Sequence, residues 1–152
     1  MKAGAFTQIY IQLVISVKYR DRLLSQHIRK KIFKIMAGIL NEYGNRPIII
    51  NGVEDHLHIF YSHNPNVSIS NTVKELKRRT TVYINNQQFF DKRFRWETGY
   101  GAFSYSKSHM EKVYNYIERQ ERHHLTKSFK QEYTTLLQRY GIKYNPKYLF
   151  KF

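Results

Sequence analysis

An α+β fold, with one four-stranded antiparallel sheet covered by helices, is predicted by three features of this sequence. Alternating apolar and polar residues mark strands, and apolar residues at three- and four-residue spacing mark helices. The two kinds follow one another in the order β-α-β-β-α-β, with further helical spacing toward the C-terminus. At 152 residues, 41% of them hydrophobic and 16% aromatic, the chain is long and apolar enough to bury a core. Seven glycines and three prolines leave no flexible linker, so residues 1–152 read as a single domain.

Taken in order, residues 9–17 place Ile9, Ile11, Leu13, Ile15 and Val17 in alternation with Tyr10, Gln12 and Ser16; Val14 alone is apolar and out of phase. This is a strand with one apolar and one mixed face. After a polar break at residues 19–22, Ile28, Ile32, Ile35, Met36, Ile39, Leu40 and Tyr43 recur at helical spacing. Ser25 stands ready to cap the start and Gly44 the end. Pro47 opens the apolar run 48–50. Asn51 and Gly52, with Glu54 and Asp55, predict a turn into the alternating stretch 56–61, making an antiparallel hairpin. Ser68 or Ser70 caps a helix through Val73, Leu76, Thr80, Tyr83 and Ile84. A short strand over 102–107 and helices over 108–124 and 127–140 complete the chain. This order is the split βαβ, or ferredoxin-like, pattern.

Composition narrows the function. Against 11 Asp+Glu stand 26 Lys+Arg, a formal charge of +15, which points to a polyanionic partner. No cysteine is present, which excludes a disulfide scaffold, a Cys-ligated zinc module, an iron–sulfur cluster and a cysteine nucleophile. No run of ~20 apolar residues is available to span a membrane, and the first residues lack the apolar core of a secretory signal, so a cytoplasmic location is expected. No stretch fits a phosphate-cradling or dinucleotide-binding glycine loop, so no nucleotide cofactor is expected.

Chemistry concentrates in two places. His56 and His58, two apart on a strand, point the same way and form a platform for one metal ion. Alone, that spacing reads equally well as two strand histidines in ordinary hydrogen bonds. On the predicted helix 108–124, Tyr116, Gln120 and His124 lie at i, i+4 and i+8 with His123 beside them. Met110, Val113 and Ile117 form the neighbouring stripe that seats this helix. A non-catalytic alternative also stands: a basic ferredoxin-like module that only binds RNA or DNA hairpins, with Tyr10 and Phe60 stacking bases.

Five segments in register carry a resemblance. They are Asp-His-Leu-His-Ile at 55–59, Trp-Glu-Thr-Gly-Tyr-Gly-Ala-Phe-Ser at 96–104 and Tyr-Ile-Glu-Arg-Gln-Glu-Arg-His-His at 116–124, the close at 141–149, and the opening strand running into Lys18-Tyr19-Arg20. Together they resemble the single-tyrosine HUH transposases of bacterial insertion sequences and their repeat-associated relatives. The resemblance implies that Tyr116 attacks a phosphodiester of single-stranded DNA, leaving a 5′-phosphotyrosine link and a free 3′-OH. It implies that His56, His58 and Gln120 bind a divalent metal, Mg²⁺ or Mn²⁺, as three neutral ligands that leave the ion its full charge. It further implies terminal hairpins as the DNA recognised, and a homodimer in which a tyrosine helix can complete the partner's histidine site. A host-adopted, repeat-processing relative would share all of these parts. For the DNA itself, the basic residues Lys74, Lys77, Arg78, Arg79 and Arg95 are expected on the backbone, with Trp96 and Tyr100 stacking unpaired bases. Glu54 and Asp55 lie beside the histidine pair, but strict alternation puts Asp55 on the face opposite His56.

Overall fold

The computed structural model describes residues 4–123 and 128–145. Its elements are β1 (Tyr10–Ser16), α1 (Gln26–Glu42), β2 (Arg46–Gly52), β3 (His56–Ser62), α2 (Ile69–Asn86), β4 (Gly101–Tyr105), α3 (Met110–Glu118), the single turn α4 (Gln120–His123) and α5 (Phe129–Arg139). The strands form one sheet in the order β2-β3-β1-β4, every neighbouring pair antiparallel. That is the α+β, ferredoxin-like arrangement expected from the order of elements.

Alternation along β1 and β3 builds two separate cores. Ile11, Leu13 and Ile15 join Leu57, Ile59 and Tyr61 on one face, where they meet Ile32, Met36, Ile39 and Leu40 of α1 and Val73, Leu76 and Ile84 of α2. The other face carries Gln12, Val14 and Ser16 beside His56, His58 and Phe60. There Val14 packs with Phe103, Phe129, Leu136 and Leu137, and Phe60 with Val113 and Ile117. The residue that broke the alternation is thus in phase with a second core, made by α3 and α5. From Ile11 to the end of β1 both faces are buried.

Local chemistry sets the boundaries. Ser25 accepts from the Ile28 amide to start α1, and Gly44 takes φ +78 just past its end. Ser68 is the cap of α2, accepting from Asn71, while Ser70 already lies inside the helix. Ser128 and Gln131 form a reciprocal capping box at the start of α5.

Two predicted boundaries move. Asn51 and Gly52 remain in β2, paired with His58 and Leu57, and the chain reverses over residues 53–55. Gly52 is needed there because a Cβ would lie 2.3 Å from the His56 carbonyl oxygen. The helix expected over 108–124 is broken: α3 ends at Glu118, Arg119 sits at φ −93 and ψ 19, and α4 begins at Gln120. The Asn51 side-chain amide donates to the Ile117 and Glu118 carbonyls at 2.9 and 3.1 Å, satisfying acceptors at the end of α3. Among the described residues no helix is long and apolar enough to cross a membrane.

Candidate active site

His56 and His58 leave β3 on the face covered by α3 and α5, both fully buried, with ring centroids 5.4 Å apart. One nitrogen of each ring is held by an orienting group. His56 Nδ1 donates to Asp55 Oδ1 at 2.7 Å. His58 Nδ1 lies 2.8 Å from Gln12 Nε2, with the roles set by the ring's tautomer, and Gln12 Oε1 accepts from the Tyr105 hydroxyl at 2.6 Å. The other nitrogens converge on a carboxylate: His58 Nε2 lies 2.6 Å from Glu132 Oε1, and His56 Nε2 lies 3.4 Å from Oε2.

The helices bring the remaining chemistry to the same point. The Tyr116 hydroxyl donates to Glu132 Oε1 at 2.5 Å, and Gln120 Nε2 donates to it at 3.3 Å. The Tyr116 ring meets His58 edge-on, centroids 5.9 Å apart. Despite the break at Arg119, Tyr116 and Gln120 therefore reach one cluster with both histidines, all within a single chain. His123 closes α4, and His124 lies outside the described residues.

Glu132 is the member that sequence reasoning missed. It is 5% exposed, and α5 places it on the stripe formed by Phe129, Tyr133, Leu136 and Leu137. A carboxylate inside an apolar stripe was the available signal. Gln12, also buried, carries no signal in the sequence beyond its place on a mixed strand face. Asp55 departs from its expected position because it precedes β3, in a bend where strand alternation does not apply, so its carboxylate swings to His56.

The cluster's electrostatics follow from burial and Glu132. Burial works to lower the His56 pKa, but hydrogen bonds and charge from Asp55 and Glu132 outweigh it and raise it. For Tyr116, burial comes first and the Glu132 charge adds to it, so the phenol is held well above its usual pKa and stays protonated.

The same residues suit a divalent cation. His56, His58 and Glu132 each offer a ligand atom, all within 4.8 Å of one another. The Gln120 carboxamide oxygen is buried with no hydrogen-bond partner among the described residues. Two imidazoles, an amide oxygen and a carboxylate make a donor set compatible with Mn²⁺ or Mg²⁺. Asp55 behind His56 is the carboxylate–histidine support that metal sites use to orient a ligand.

The expected DNA contacts are scattered. Trp96 is 8% exposed, and its indole N–H donates to Thr80 Oγ1 at 2.9 Å, so no ring face is open for stacking. Lys77 donates to the Glu97 and Gly99 carbonyls, Arg78 pairs with Glu75, and Arg79 pairs with Glu42. Lys74, Arg95 and Tyr100 are exposed. The α2 residues belong to the helical layer on the far side of the sheet from His56 and His58.

Comparison with known proteins places this chain in a family. Residues 5–120 match the family described as IS200-like transposases. The ISDra2 transposase TnpA of Deinococcus radiodurans is 25% identical over 122 residues, 77% of this chain and 87% of that protein. A solved Deinococcus radiodurans R1 chain assigned as a transposase superposes with a TM-score of 0.60 at 21% identity, covering 79% of this chain and 96% of that one. A REP-associated tyrosine transposase bound to a REP hairpin superposes at 0.61 with 11% identity, covering 82% of this chain and 74% of its own. These structural likenesses show the shared fold. Glu132 lies beyond the matched stretch, whereas the sheet, both histidines, Tyr116 and Gln120 lie within it, and the chain belongs to the IS200-like transposase family.

Proposed function

We propose that this transposase cleaves and rejoins single-stranded DNA at element ends through a 5′-phosphotyrosine intermediate, with Tyr116 as nucleophile and a divalent metal at His56, His58, Gln120 and Glu132. The observation that carries this reading is the convergence of a phenol, two imidazoles and a carboxamide on one buried carboxylate. That a tyrosine transposase of the same fold was solved on a REP hairpin supports hairpin DNA as the substrate.

In the step proposed, the Tyr116 oxygen attacks phosphorus, the oxygen–phosphorus bond forms and the bond to the 3′-oxygen breaks. The phenolic proton passes to Glu132 Oε1, which already accepts a hydrogen bond from it. The departing 3′-oxygen takes a proton from solvent. When bound, the metal would polarise the scissile phosphate and stabilise charge on its oxygens. Because Glu132 joins the ligands, the set carries one negative charge where the resemblance implied three neutral groups. The covalent link keeps the phosphodiester energy, so rejoining to another 3′-OH needs no nucleotide cofactor.

A homodimer is retained in this reading, but with each chain holding its own site. The non-catalytic hairpin binder loses its main support: Phe60 is fully buried beneath α3, so the aromatic sheet face it requires is closed. A repeat-processing role in the host would use the same chemistry and differ only in the DNA that flanks the gene. Lys74, Arg95 and Tyr100 remain proposed DNA contacts. The test is incubation with labelled single-stranded element ends and Mg²⁺ or Mn²⁺. A covalent adduct mapping to Tyr116 is expected; cleavage without such an adduct overturns the assignment.

A further inference from the structure

We infer that the cleft between α3 and α5 is a nucleotide subsite, which holds the nucleotide whose 5′-phosphate becomes joined to Tyr116. This rests on the transposase reading above and adds where the retained strand lies. The cleft has a volume of about 600 Å³, within the roughly 300–1,000 Å³ usual for small-molecule sites. Tyr116 lines it, together with His109, Lys112, Arg139, Tyr105 and Tyr140.

Both walls present a cation at a fixed offset from the site. Lys112 precedes Tyr116 by one helical turn on α3, so the two project to the same side. Arg139 follows Glu132 by two turns on α5, on the same stripe. Both are exposed, and among the described residues neither is in an ion pair. A second cleft of about 590 Å³, on the Asp55 side, differs in this respect: its Arg22 and Arg29 are already paired with Glu54 and Glu121. Among the described residues, Lys112 and Arg139 are therefore cations beside the site that stand outside the ion pairs.

The cleft also holds an aromatic platform. Tyr140 packs edge-on against Tyr105 with centroids 5.8 Å apart and lies tilted on Phe103 at 5.2 Å, yet remains 39% exposed. A ring fixed on one side and open on the other suits stacking of an unpaired base. The direction of displacement assigns the occupant. Attacking and leaving oxygens lie in line across phosphorus, so the departing 3′-strand leads away from Tyr116 while the retained nucleotide stays beside it.

The test uses single-stranded substrates with one abasic position, immediately 3′ or immediately 5′ of the scissile phosphate. With the wild-type protein, the 3′ abasic substrate should show a KM raised about 10-fold, and the 5′ one a smaller change. In Tyr140→Leu the 3′ abasic substitution should cost nothing further, because base and ring act as one contact; Tyr140→Phe should behave as wild type. The double variant Lys112→Gln/Arg139→Gln, at exposed positions, should raise KM with kcat kept and flatten the log–log salt slope by about 1.4, two phosphate contacts at ~0.7 each. Additive losses in Tyr140→Leu, together with an unchanged salt slope in the double variant, would overturn the subsite. If the wild type forms no adduct on any substrate, the failure belongs to the transposase reading itself.

Discussion

Tyr116 and Glu132, sixteen residues apart on α3 and α5, are joined by a 2.5 Å hydrogen bond from phenol to carboxylate. The proposed nucleophile is therefore held at the histidine pair by an acceptor for its proton. Tyr116→Phe removes the oxygen proposed to attack and leaves the ring that meets His58. Adduct formation should disappear while hairpin retention in a gel-shift assay stays close to wild type. Persistent adduct would move the nucleophile to another residue.

Glu132→Gln keeps the volume of the side chain but removes its negative charge from the proposed metal ligands. Mn²⁺ affinity, read by calorimetry or electron paramagnetic resonance, should fall by about tenfold or more, since ligand charge tunes affinity for hard cations. An unchanged affinity would leave Glu132 a partner of Tyr116 alone.

Asp55→Asn weakens the support behind His56 without touching the cluster's centre. Loss of such a carboxylate typically lowers metal affinity or activity by about 10- to 100-fold. Mn²⁺ titration of the folded variant measures it, and a wild-type isotherm would make the 2.7 Å contact to His56 incidental.

Seating of α3 bears on the dimer proposed above. Asn51 of β2 binds the last carbonyls of α3, and Val113 and Ile117 pack on Phe60 of the same chain. Mixing Tyr116→Phe with His56→Ala protein should consequently restore no cleavage, even after subunit exchange is verified by mass spectrometry. Recovered cleavage would mean that the tyrosine helix crosses to a partner.

Lys77 gives the fold a pH signature. Burial pulls its pKa from 10.5 to about 8, with Glu97 opposing. Between pH 8 and 10 the unfolded chain holds more protons at this position than the folded one, so stability rises with pH. Above 10, Tyr61, Tyr105 and Tyr116 reverse the trend: burial raises their pKa values, so the folded state keeps protons that the unfolded state releases. Thermal unfolding should show a shallow rise across pH 8–10 that is absent in Lys77→Met. The same slope in that variant would place the effect elsewhere.

The legible parts of this protein were those governed by local periodicity. β1, the β2–β3 hairpin and the capped helices follow from alternation, helical spacing and serine placement, while the grouping of the histidine pair with Tyr116 and Gln120 rests on the family resemblance. What escaped depends on packing between distant segments. Val14 is out of phase in its strand because its partners come from α5, and the role of Glu132 depends on the stripe it interrupts facing the histidines. The contact of Asp55 with His56 arises in a bend, where alternation has no force. Trp96 sits beside exposed basic residues in sequence, yet its ring turns inward to Thr80.

The position of Glu132 along the chain has its own consequence. The stretch matched to the family ends at residue 120, and α5 starts at Phe129. Sheet, histidines and Tyr116 lie within that stretch, and the carboxylate reaches them on a helix that packs on Val14 and Phe103 and sets Phe129 against the His56 ring, centroids 4.2 Å apart. Exchange or truncation of this last helix offers a route to retune the charge at the site, and with it metal preference and cleavage rate, while the sheet's main core goes untouched.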